Sequence, residues 1–410
     1  MTDTELSQLT QRAIDLELQY GAHNYHPLPV VLNKGKGVHL WDVDGNQYYD
    51  FLSAYSAVNQ GHCHPKIIQA LIDQAQELTL TSRAFHNHLL GEYELFICKY
   101  FGYDKVLPMN TGVEGGETAL KLARKWGYIR KGIPENQAKI IFVQGNFWGR
   151  TLGAISSSTD PKSTSGFGPF MPGYEIIPYN DLTALFKAAK DPNTAAFMFE
   201  PIQGEAGVII PDQGYLEGAR KICTEFNVLM IADEIQTGLG RTGKMLACEY
   251  ENVRPDILIL GKALSGGVLP VSAVLADDEI MLCIQPGEHG STYGGNPLGC
   301  RVAMTALKVL KDEGMPENAL NMGSVFRSRM KKVNSPFIQQ IRGKGLLNAI
   351  EISQDSPLSA YEICLKLKDN GLLCKQTHDT TIRFAPPLII NRKQMEEACD
   401  IIEETFETLV

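Results

Sequence analysis

The sequence lacks the features that mark membrane-spanning and nucleic-acid-binding proteins. No stretch reaches the roughly 20 consecutive apolar residues that a membrane-spanning helix needs. Acidic residues outnumber lysine and arginine by 47 to 38, which gives a formal net charge of -9 at pH 7. A surplus of negative charge disfavours nonspecific binding to nucleic acids and to anionic lipid surfaces. We therefore expect neither a nucleic-acid partner nor a membrane partner.

Paired cysteines and a targeting segment are also missing. The nine cysteines are scattered, and no two of them form a CxxC pair. This pattern is typical of unpaired thiols in a reducing compartment. The N-terminal stretch MTDTELSQLTQRAIDLELQYG has neither the early apolar core of a signal peptide nor the arginine-rich, acid-poor character of a presequence. These absences favour a cytoplasmic protein.

Three regions of different character follow one another along the 410 residues. Region 1–64 has a predicted helix from Thr4 to Tyr20, and a DG turn in GVHLWDVDGNQYYDFL that predicts a hairpin. Region 65–312 alternates helix-like segments with short apolar runs. Region 313–410 combines strand-like LLNAIEI and TIRFAPPLII with a predicted turn at 341–346. We expect a large domain from the second region, and a small domain from the third, against which the N-terminal segment packs.

The apolar runs of the second region predict its fold. KIIFVQG, AAFMFEP, VLMIADE, DILILGK and PVSAVLA are apolar at nearly every position, which is typical of parallel strands covered on both faces. Their alternation with helices predicts a doubly wound α/β domain whose central sheet is mostly parallel. Ligands of such sheets bind beyond the carboxyl ends of the strands. The residues that follow these runs, and that should meet at one sheet edge, are Phe147, Arg150, Glu205, Asp233, Gln236 and Lys262.

Two patterns suggest other chemistry, and both fit poorly. GLGRTGKM contains GxGxxG and nearly matches the P-loop, but Met245 stands where a magnesium-binding hydroxyl is required. Asp233 and Glu234 precede this stretch and are poor neighbours for a triphosphate, so we expect a plain loop. The histidines of GHCHP and FHNH have no second pair at zinc-ligand spacing. We predict structural histidines and no metal site.

The polar residues at the predicted sheet edge match the needs of one cofactor. MNTGVEGG predicts a helix start whose backbone N–H groups suit a phosphate, although a plain capped helix has the same pattern. Asp233 could keep a ring nitrogen protonated, and either Phe147 or Trp148 could stack on a flat ring. Lys262, at the end of its apolar run, could hold an aldehyde. Together these parts fit pyridoxal 5'-phosphate.

Longer segments then carry a family resemblance. LMIADEIQTGLGRTGKMLACEYENVRPDILILGKALSGGVLPVSAVLA resembles the class III aminotransferases, which are pyridoxal-phosphate enzymes of fold type I. YGAHNYHPLPVVL, SAYSAVNQGHCHP, LTSRAFHNHLLGEYE, EPIQGEAGV, EHGSTYGGNPLG and IRFAPPL are similar, more narrowly, to the ornithine aminotransferases. The resemblance runs from about Tyr20 to the C-terminus. It implies that the large domain, 65–312, binds the cofactor.

The resemblance implies a role for each site residue. Lys262 would bind the cofactor covalently, Asp233 would pair with the ring nitrogen, and Glu205 would form a switchable ion pair with Arg383, so that the catalytic set is Lys262, Asp233 and Glu205. The residues implied to contact the cofactor are Lys262, Asp233, Gln236, Phe147, Gly112, Val113, Thr111, Ser291 and, from a neighbouring subunit of a homodimer or higher oligomer, Thr292. The residues implied to bind substrate are Tyr25, Tyr55, Arg150, Glu205 and Arg383.

The implied reaction moves the δ-amino group of L-ornithine to 2-oxoglutarate, giving L-glutamate 5-semialdehyde and L-glutamate. Acetylornithine or 4-aminobutyrate aminotransferase activity is the alternative within the class, and YGAHNY with Tyr55 favours ornithine. A nucleotide-binding enzyme, based on GLGRTGK, is the alternative from another class. Because animal relatives work in the mitochondrial matrix, that compartment is the alternative location if a presequence has been removed.

Overall fold

The structure is a computed structural model that describes residues 6–409. Its helices are α1 Gln8–Tyr20, the single turn α2 Ser53–Ser56, α3 Pro65–Glu77, α4 His88–Phe101, α5 Gly112–Trp126, α6 Leu152–Ile155, α7 Pro161–Thr164, α8 Leu182–Ala189, α9 Tyr215–Glu225, α10 Asp278–Met281, α11 Pro297–Asp312, α12 Met315–Met330, α13 Ala360–Asp369 and α14 Arg392–Glu407. Its strands are β1 Leu32–Lys36, β2 His39–Asp42, β3 Gln47–Asp50, β4 Lys105–Met109, β5 Lys139–Val143, β6 Tyr174–Ile177, β7 Thr194–Phe199, β8 Leu229–Asp233, β9 Ile257–Leu260, β10 Ser272–Ala276, β11 Ile338–Lys344, β12 Leu347–Ile352, β13 Leu372–Leu373, β14 Lys375–Thr377 and β15 Thr381–Phe384. No helix in this part of the chain is long and apolar enough to cross a membrane.

The central sheet has seven strands in the order β4-β10-β9-β8-β7-β5-β6. Pairing is parallel from β9 through β8, β7 and β5 to β6. Every residue of β7 is buried, because helices cover both faces of the sheet. Phe197 and Phe199 pack with α8 and α9, whereas Met198, between them, packs with α5 on the other face. The predicted doubly wound α/β architecture is confirmed.

The strand predicted from PVSAVLA is present, but its direction was predicted wrongly. β10 is antiparallel to both of its neighbours, β4 and β9. Parallel neighbours need a crossover of a dozen or more residues, usually through an α-helix. The connection 261–271 contains only a short 3-10 turn, so the chain returns directly beside β9. An apolar run reports burial on two faces and does not report strand direction.

Two smaller sheets connect the ends of the chain. β1, β2 and β3 form an antiparallel sheet, and β13, from the C-terminal region, joins β3 in parallel. The third sheet has the order β11-β12-β15-β14 and is antiparallel throughout. The predicted 341–346 turn is shorter than expected, because β11 continues to Lys344. The domain division at residues 64 and 312 remains a prediction.

The other local predictions are mostly confirmed. The hairpin at the DG turn forms between β2 and β3, and Pro65 is the first residue of α3. The N-terminal helix begins later than predicted, at Gln8, because the Ser7 side chain accepts from the Thr10 N–H and caps it. Of the predicted span, Thr4 lies outside the described residues.

The histidines of GHCHP and the GLGRTGKM segment have structural partners. His62 contacts Asp50 at 2.6 Å, and His64 contacts Glu313 at 3.2 Å. GLGRTGKM is a loop, and its Arg241 is fully buried, where it donates to the carbonyl oxygens of Leu346 and Pro386. This arginine ties the loop to the C-terminal region. All nine cysteines are free thiols, and eight of them are buried.

Candidate active site

A cavity of about 630 Å³ opens at the carboxyl edge of the central sheet. It is bounded by the segments that follow β5, β7 and β9, by the α2 turn and by the third sheet. Four of the six residues expected at this edge line it, and the other two, Asp233 and Gln236, are buried at the end of β8. The predicted site residues that line the cavity are Tyr25, Tyr55, Phe147, Arg150, Glu205, Lys262 and Arg383.

Lys262 begins a 3-10 turn directly after β9 and Gly261. Its φ of 44° lies in the left-handed region that residues other than glycine seldom adopt. Burial lowers the pKa of its ammonium group, while Glu205 and Asp233 act in the opposite direction. Burial removes water from the charged form and therefore favours the neutral amine. Lys262 is half-buried in the cavity wall and is therefore not a fully solvated surface charge.

Asp233 is the last residue of β8 and is fully buried. Burial raises the pKa of its carboxyl group to about 6, although the Ile235 N–H and Lys262 both favour the ionised form. Gln236 lies nearby, and its Oε1 is buried without a hydrogen-bond partner among residues 6–409. Gly204 gives this amide room, because a Cβ there would collide with Gln236 Oε1. A buried carboxylate and an unpartnered amide oxygen suit a polar ligand.

The start of α5 has the backbone geometry expected of the predicted anion site. Thr111 caps the helix, and its Oγ1 accepts from the Glu114 N–H at 3.3 Å. The next residues, Gly112 and Val113, are in the first turn, where backbone N–H groups have no acceptor within the helix. The helix has 15 residues, so its dipole favours an anion at this end. Ser272 Oγ donates to the Thr111 carbonyl at 2.7 Å and fixes the cap to the sheet.

The choice between Phe147 and Trp148 is resolved by their positions. Phe147 lines the cavity, whereas Trp148 is buried and donates through Nε1 to Ser157 Oγ at 2.8 Å. Trp148 packs so closely on α5 that a Cβ at Gly116 would collide with it. Of the two aromatic rings, only Phe147 is available to a ligand.

Glu205 and Arg383 form an ion pair inside the cavity, with Nη1 donating to Oε1 at 2.8 Å. Arg383 is 4% exposed and lies on β15, whereas Glu205 is 28% exposed and lies in the loop after β7. Burial opposes ionisation of Glu205, but Arg383, with Lys262 and Arg150, outweighs it and keeps the pKa of Glu205 below its usual value. The structure therefore brings together the two residues of the predicted switch.

The mouth of the cavity carries the other predicted substrate residues. Tyr25 is 69% exposed, and Arg150 lies with its guanidinium carbon 5.5 Å from the centroid of the Phe147 ring. Arg150 donates to Ser163 Oγ at 3.2 Å, which leaves other guanidinium N–H groups for a ligand. Tyr55 is half-buried on the α2 turn. A cation and two phenols thus face an incoming substrate.

Ser291 and Thr292 lie away from the cavity. Ser291 Oγ accepts from Asn110 Nδ2 at 2.8 Å, which places it beside the start of α5. Thr292 is exposed, as is Tyr293 beside it. The implied role of Thr292 in a neighbouring subunit stays a prediction.

Sequence reasoning missed two ionisable residues at the site. Glu200 follows β7 directly, is fully buried, and accepts from the N–H groups of Phe147 and Gly204 at 3.0 and 3.2 Å. Burial, followed by the charge of Asp233, raises the pKa of Glu200 to about 8. Lys375 lines the cavity on β14. EPIQGEAG did contain the signal for Glu200, since it holds two carboxylates, whereas CKQTH gave none for Lys375.

These residues fit one cofactor. A half-buried lysine, a buried carboxylate, an unpartnered amide oxygen, an aromatic ring in the cavity wall and a helix start suit, in that order, an aldehyde, a ring nitrogen, a ring hydroxyl, a flat ring and a phosphate. The fold and the site together define a pyridoxal-phosphate-dependent enzyme.

Comparison with known proteins identifies the family within that class. A family model described as Aminotransferase class-III matches residues 20–406, and the chain belongs to that family. "Ornithine aminotransferase, mitochondrial" of Drosophila melanogaster is 66% identical over 390 residues, which cover 95% of this chain and 90% of the relative. The resemblance noted in the sequence is confirmed.

Two solved structures agree with the fold. An ornithine aminotransferase from Toxoplasma gondii, with pyridoxal phosphate at partial occupancy in its active site, has a TM-score of 0.96 and 50% identity, and the match covers 98% of this chain and 94% of that one. A structure described as acetylornithine aminotransferase from Elizabethkingia anophelis has a TM-score of 0.89 and 54% identity, covering 97% and 99% of the two chains. The fold-type I assignment is therefore confirmed.

Proposed function

We propose that the protein transfers the δ-amino group of L-ornithine to 2-oxoglutarate. The observation that carries this proposal is the closed Glu205–Arg383 pair beside Lys262. An arginine that could bind a carboxylate next to the reacting carbon is already neutralised. The δ end of ornithine, which has no carboxylate there, fits beside the closed pair, whereas an α-amino acid has to displace Glu205. The relatives named as ornithine aminotransferases support the same substrate.

Lys262 is proposed as the covalent anchor and the proton carrier. When bound, pyridoxal phosphate carries the amino group between the two substrates and stabilises negative charge at the substrate carbon. Lys262 Nζ, once free, would take a proton from that carbon and deliver it to the aldehyde carbon of the cofactor, and would move a proton the opposite way in the second half of the reaction. Because burial lowers its pKa, Nζ loses its proton more readily than the amine of a solvated lysine does.

The other cofactor residues are proposed to hold the cofactor and to orient its ring. The Asp233 carboxylate would keep a proton on the ring nitrogen, and that cation would in turn favour the ionised form of Asp233. Gln236 would hydrogen-bond the ring hydroxyl, and Phe147 would cover one ring face. The backbone N–H groups of Gly112 and Val113, with the Thr111 cap and Ser291 beside it, would bind the phosphate.

The substrate residues are proposed to act at the cavity mouth. Arg150 and Tyr25 would hold the α-amino-acid end of ornithine, while Tyr55 shapes the wall of the same cavity. In the second half of the reaction, Glu205 would release Arg383, which then binds the α-carboxylate of 2-oxoglutarate. One site can thus accept two substrates of different charge.

A donor panel tests this proposal. Protein supplied with pyridoxal phosphate and 2-oxoglutarate is given L-ornithine, N-acetylornithine or 4-aminobutyrate, and glutamate and the semialdehyde are quantified. We expect kcat/KM for ornithine to exceed the other two by at least about tenfold, because a site that pairs a substrate's polar groups rejects analogues that lack them. Faster turnover of N-acetylornithine or 4-aminobutyrate would overturn the substrate assignment.

We also propose that the working unit is a homodimer with sites at the subunit interface. The exposure of Thr292 and Tyr293 beside the start of α5 supports this arrangement. Light scattering should give twice the chain mass. Mixing inactive Lys262→Ala subunits with Thr292→Ala subunits should restore activity, because one site of each mixed dimer then has both residues. No recovery on mixing would contradict a shared site.

The location is proposed as cytoplasmic, with the mitochondrial matrix as the alternative. Nine unpaired thiols suit either reducing compartment. The Drosophila relative is named as mitochondrial. Fractionation of source cells with an antibody against the protein distinguishes the two.

A further inference from the structure

Lys375 lies in the cavity wall directly opposite Arg383. β14 is antiparallel to β15, and the register pairs Lys375 with Arg383. Side chains of directly opposite residues project from the same face of a sheet and are neighbours. Both side chains line the cavity. The site therefore has a second cation beside the arginine of the switch.

Tyr55 lies next to both of these cations. The Arg383 guanidinium carbon is 5.2 Å from the centroid of the Tyr55 ring, and Lys375 Nζ is 5.8 Å from it. Lys375 Nζ also donates to Tyr55 Oη at 3.1 Å. Since that oxygen accepts from an ammonium group, the Tyr55 O–H can point its proton at another acceptor. The two cations and the Tyr55 hydroxyl therefore lie together in one polar cluster.

The backbone holds Tyr55 in place at a conformational cost. The four residues of α2, Ser53–Ser56, have φ values of 50°, 46°, 59° and 72°, in the left-handed region that only glycine adopts freely. Asp50 fixes the entry to this turn, because its Oδ1 accepts from the N–H groups of Leu52 and Ser53, both at 2.8 Å. Strain of this kind clusters at ligand sites. Here the strained turn holds the Tyr55 ring next to Arg383 and Lys375.

The charge balance of the cavity favours a dianion. Glu205 neutralises Arg383, but among residues 6–409 no carboxylate lies within 4.0 Å of Lys375 Nζ. Like charges directly opposite each other destabilise a strand pair, and a bound anion relieves this repulsion. Glu205 is the one acidic side chain in the described lining. The cationic side chains in the same lining are Arg150, Lys162, Lys262, Lys375 and Arg383.

We infer that Lys375 is a specificity-determining residue that, with the Tyr55 hydroxyl, binds a carboxylate of the dianionic 2-oxo acid and selects dicarboxylic acceptors. The inference rests on the proposed function, since it assigns Lys375 to the second half of that reaction. 2-Oxoglutarate carries two negative charges, whereas ornithine carries one net positive charge. Removing the Lys375 charge therefore weakens binding of the acceptor and leaves binding of the donor as strong or stronger.

Lys375→Met tests the inference, because methionine keeps most of the length of the side chain without the charge. Steady-state kinetics give KM for ornithine and for 2-oxoglutarate separately. Calorimetry on the holoenzyme gives Kd for glutarate and for butyrate, which are unreactive dicarboxylate and monocarboxylate probes. We expect KM for 2-oxoglutarate and Kd for glutarate to rise roughly tenfold, the usual effect of losing one charge-assisted contact. Lys375→Arg should recover most of the loss.

Lys162→Met is the matched control, because Lys162 is an exposed lysine in the same lining. If it raises the glutarate Kd as much as Lys375→Met does, the effect is one of overall charge and the inference is wrong. Equal rises in KM for both substrates, or unchanged values for 2-oxoglutarate and glutarate, also overturn it. If the parent protein does not turn over ornithine with 2-oxoglutarate, the proposed function fails, whereas the glutarate measurement still tests Lys375.

Discussion

Replacing Glu200 by glutamine perturbs a buried acid that touches two parts of the site at once. Its two carboxylate oxygens accept from Phe147 N–H, in the loop after β5, and from Gly204 N–H, beside the switch residue Glu205. Burial first, and Asp233 second, raise the pKa of Glu200 to about 8, so the group is mostly protonated at neutral pH in the folded protein. Glutamine has nearly the same shape and cannot ionise.

The pH dependence of stability follows from this pKa. Below about pH 4.5 Glu200 is protonated in both the folded and the unfolded chain, and above about pH 8 it is ionised in both. Between these limits the folded state binds more protons, so the free energy of unfolding falls as the pH rises. The whole loss is about 5 kcal/mol, of which about 2 kcal/mol falls between pH 6.5 and 8.5. Burial also raises the pKa of Asp233, to about 6. Its ionisation therefore lowers the free energy of unfolding mostly below about pH 6.5.

Urea unfolding of the cofactor-free protein, at fixed protein concentration and at several values between pH 6.5 and 8.5, measures this loss. Glu200→Gln leaves one of the two N–H groups without an acceptor, so it should be about 1–3 kcal/mol less stable than the parent at pH 6.5. The gap should shrink by about 2 kcal/mol by pH 8.5, because only the parent has an acid to ionise. The exposed Glu135→Gln should run parallel to the parent throughout. A gap for Glu200→Gln that does not change with pH would refute a neutral buried Glu200.

Three further substitutions test the roles proposed for the site. Lys262→Ala should abolish turnover, leave the circular dichroism spectrum unchanged and prevent borohydride from fixing the cofactor to the chain; covalent fixation at another residue would contradict its role. Asp233→Asn should lower kcat at least about 100-fold, while the Kd for the cofactor changes less than about tenfold. The reason is that the amide keeps the acceptor for the Ile235 N–H but loses the charge. An equal fold-change in kcat and in cofactor Kd would refute a chiefly electronic role. Glu205→Ala should raise turnover of glutamate relative to ornithine. Since it leaves buried Arg383 unpaired, it should also lower the free energy of unfolding by about 3–5 kcal/mol. An unchanged donor preference would contradict the proposed switch.

The sheet and its edge could be predicted from sequence because their signals are local. VLMIAD and DILILGK each place a charged residue at the end of a buried apolar run or one residue beyond it, so Asp233 and Lys262 could be predicted from strand position alone. The direction of β10 depends on the route of the preceding loop, and no periodicity encodes that route. Lys375 depends on a register that pairs a three-residue strand with Arg383, and a strand so short leaves no repeat to detect.

The segment EPIQGEAG shows most clearly what composition leaves open. It offers Glu200 and Glu205, two identical groups five residues apart, and the fold gives them opposite properties. Burial keeps Glu200 neutral, although the two backbone N–H groups that donate to it favour the carboxylate, whereas Glu205 faces Arg383 and is kept ionised. Because Glu200 holds the backbone at Gly204, the proposed release of Arg383 by Glu205 would require only the Glu205 side chain to move. The proposed switch between two substrates requires an anchored backbone at Gly204 and a side chain at Glu205 that can move. The different burial of Glu200 and Glu205 suits them to these two roles.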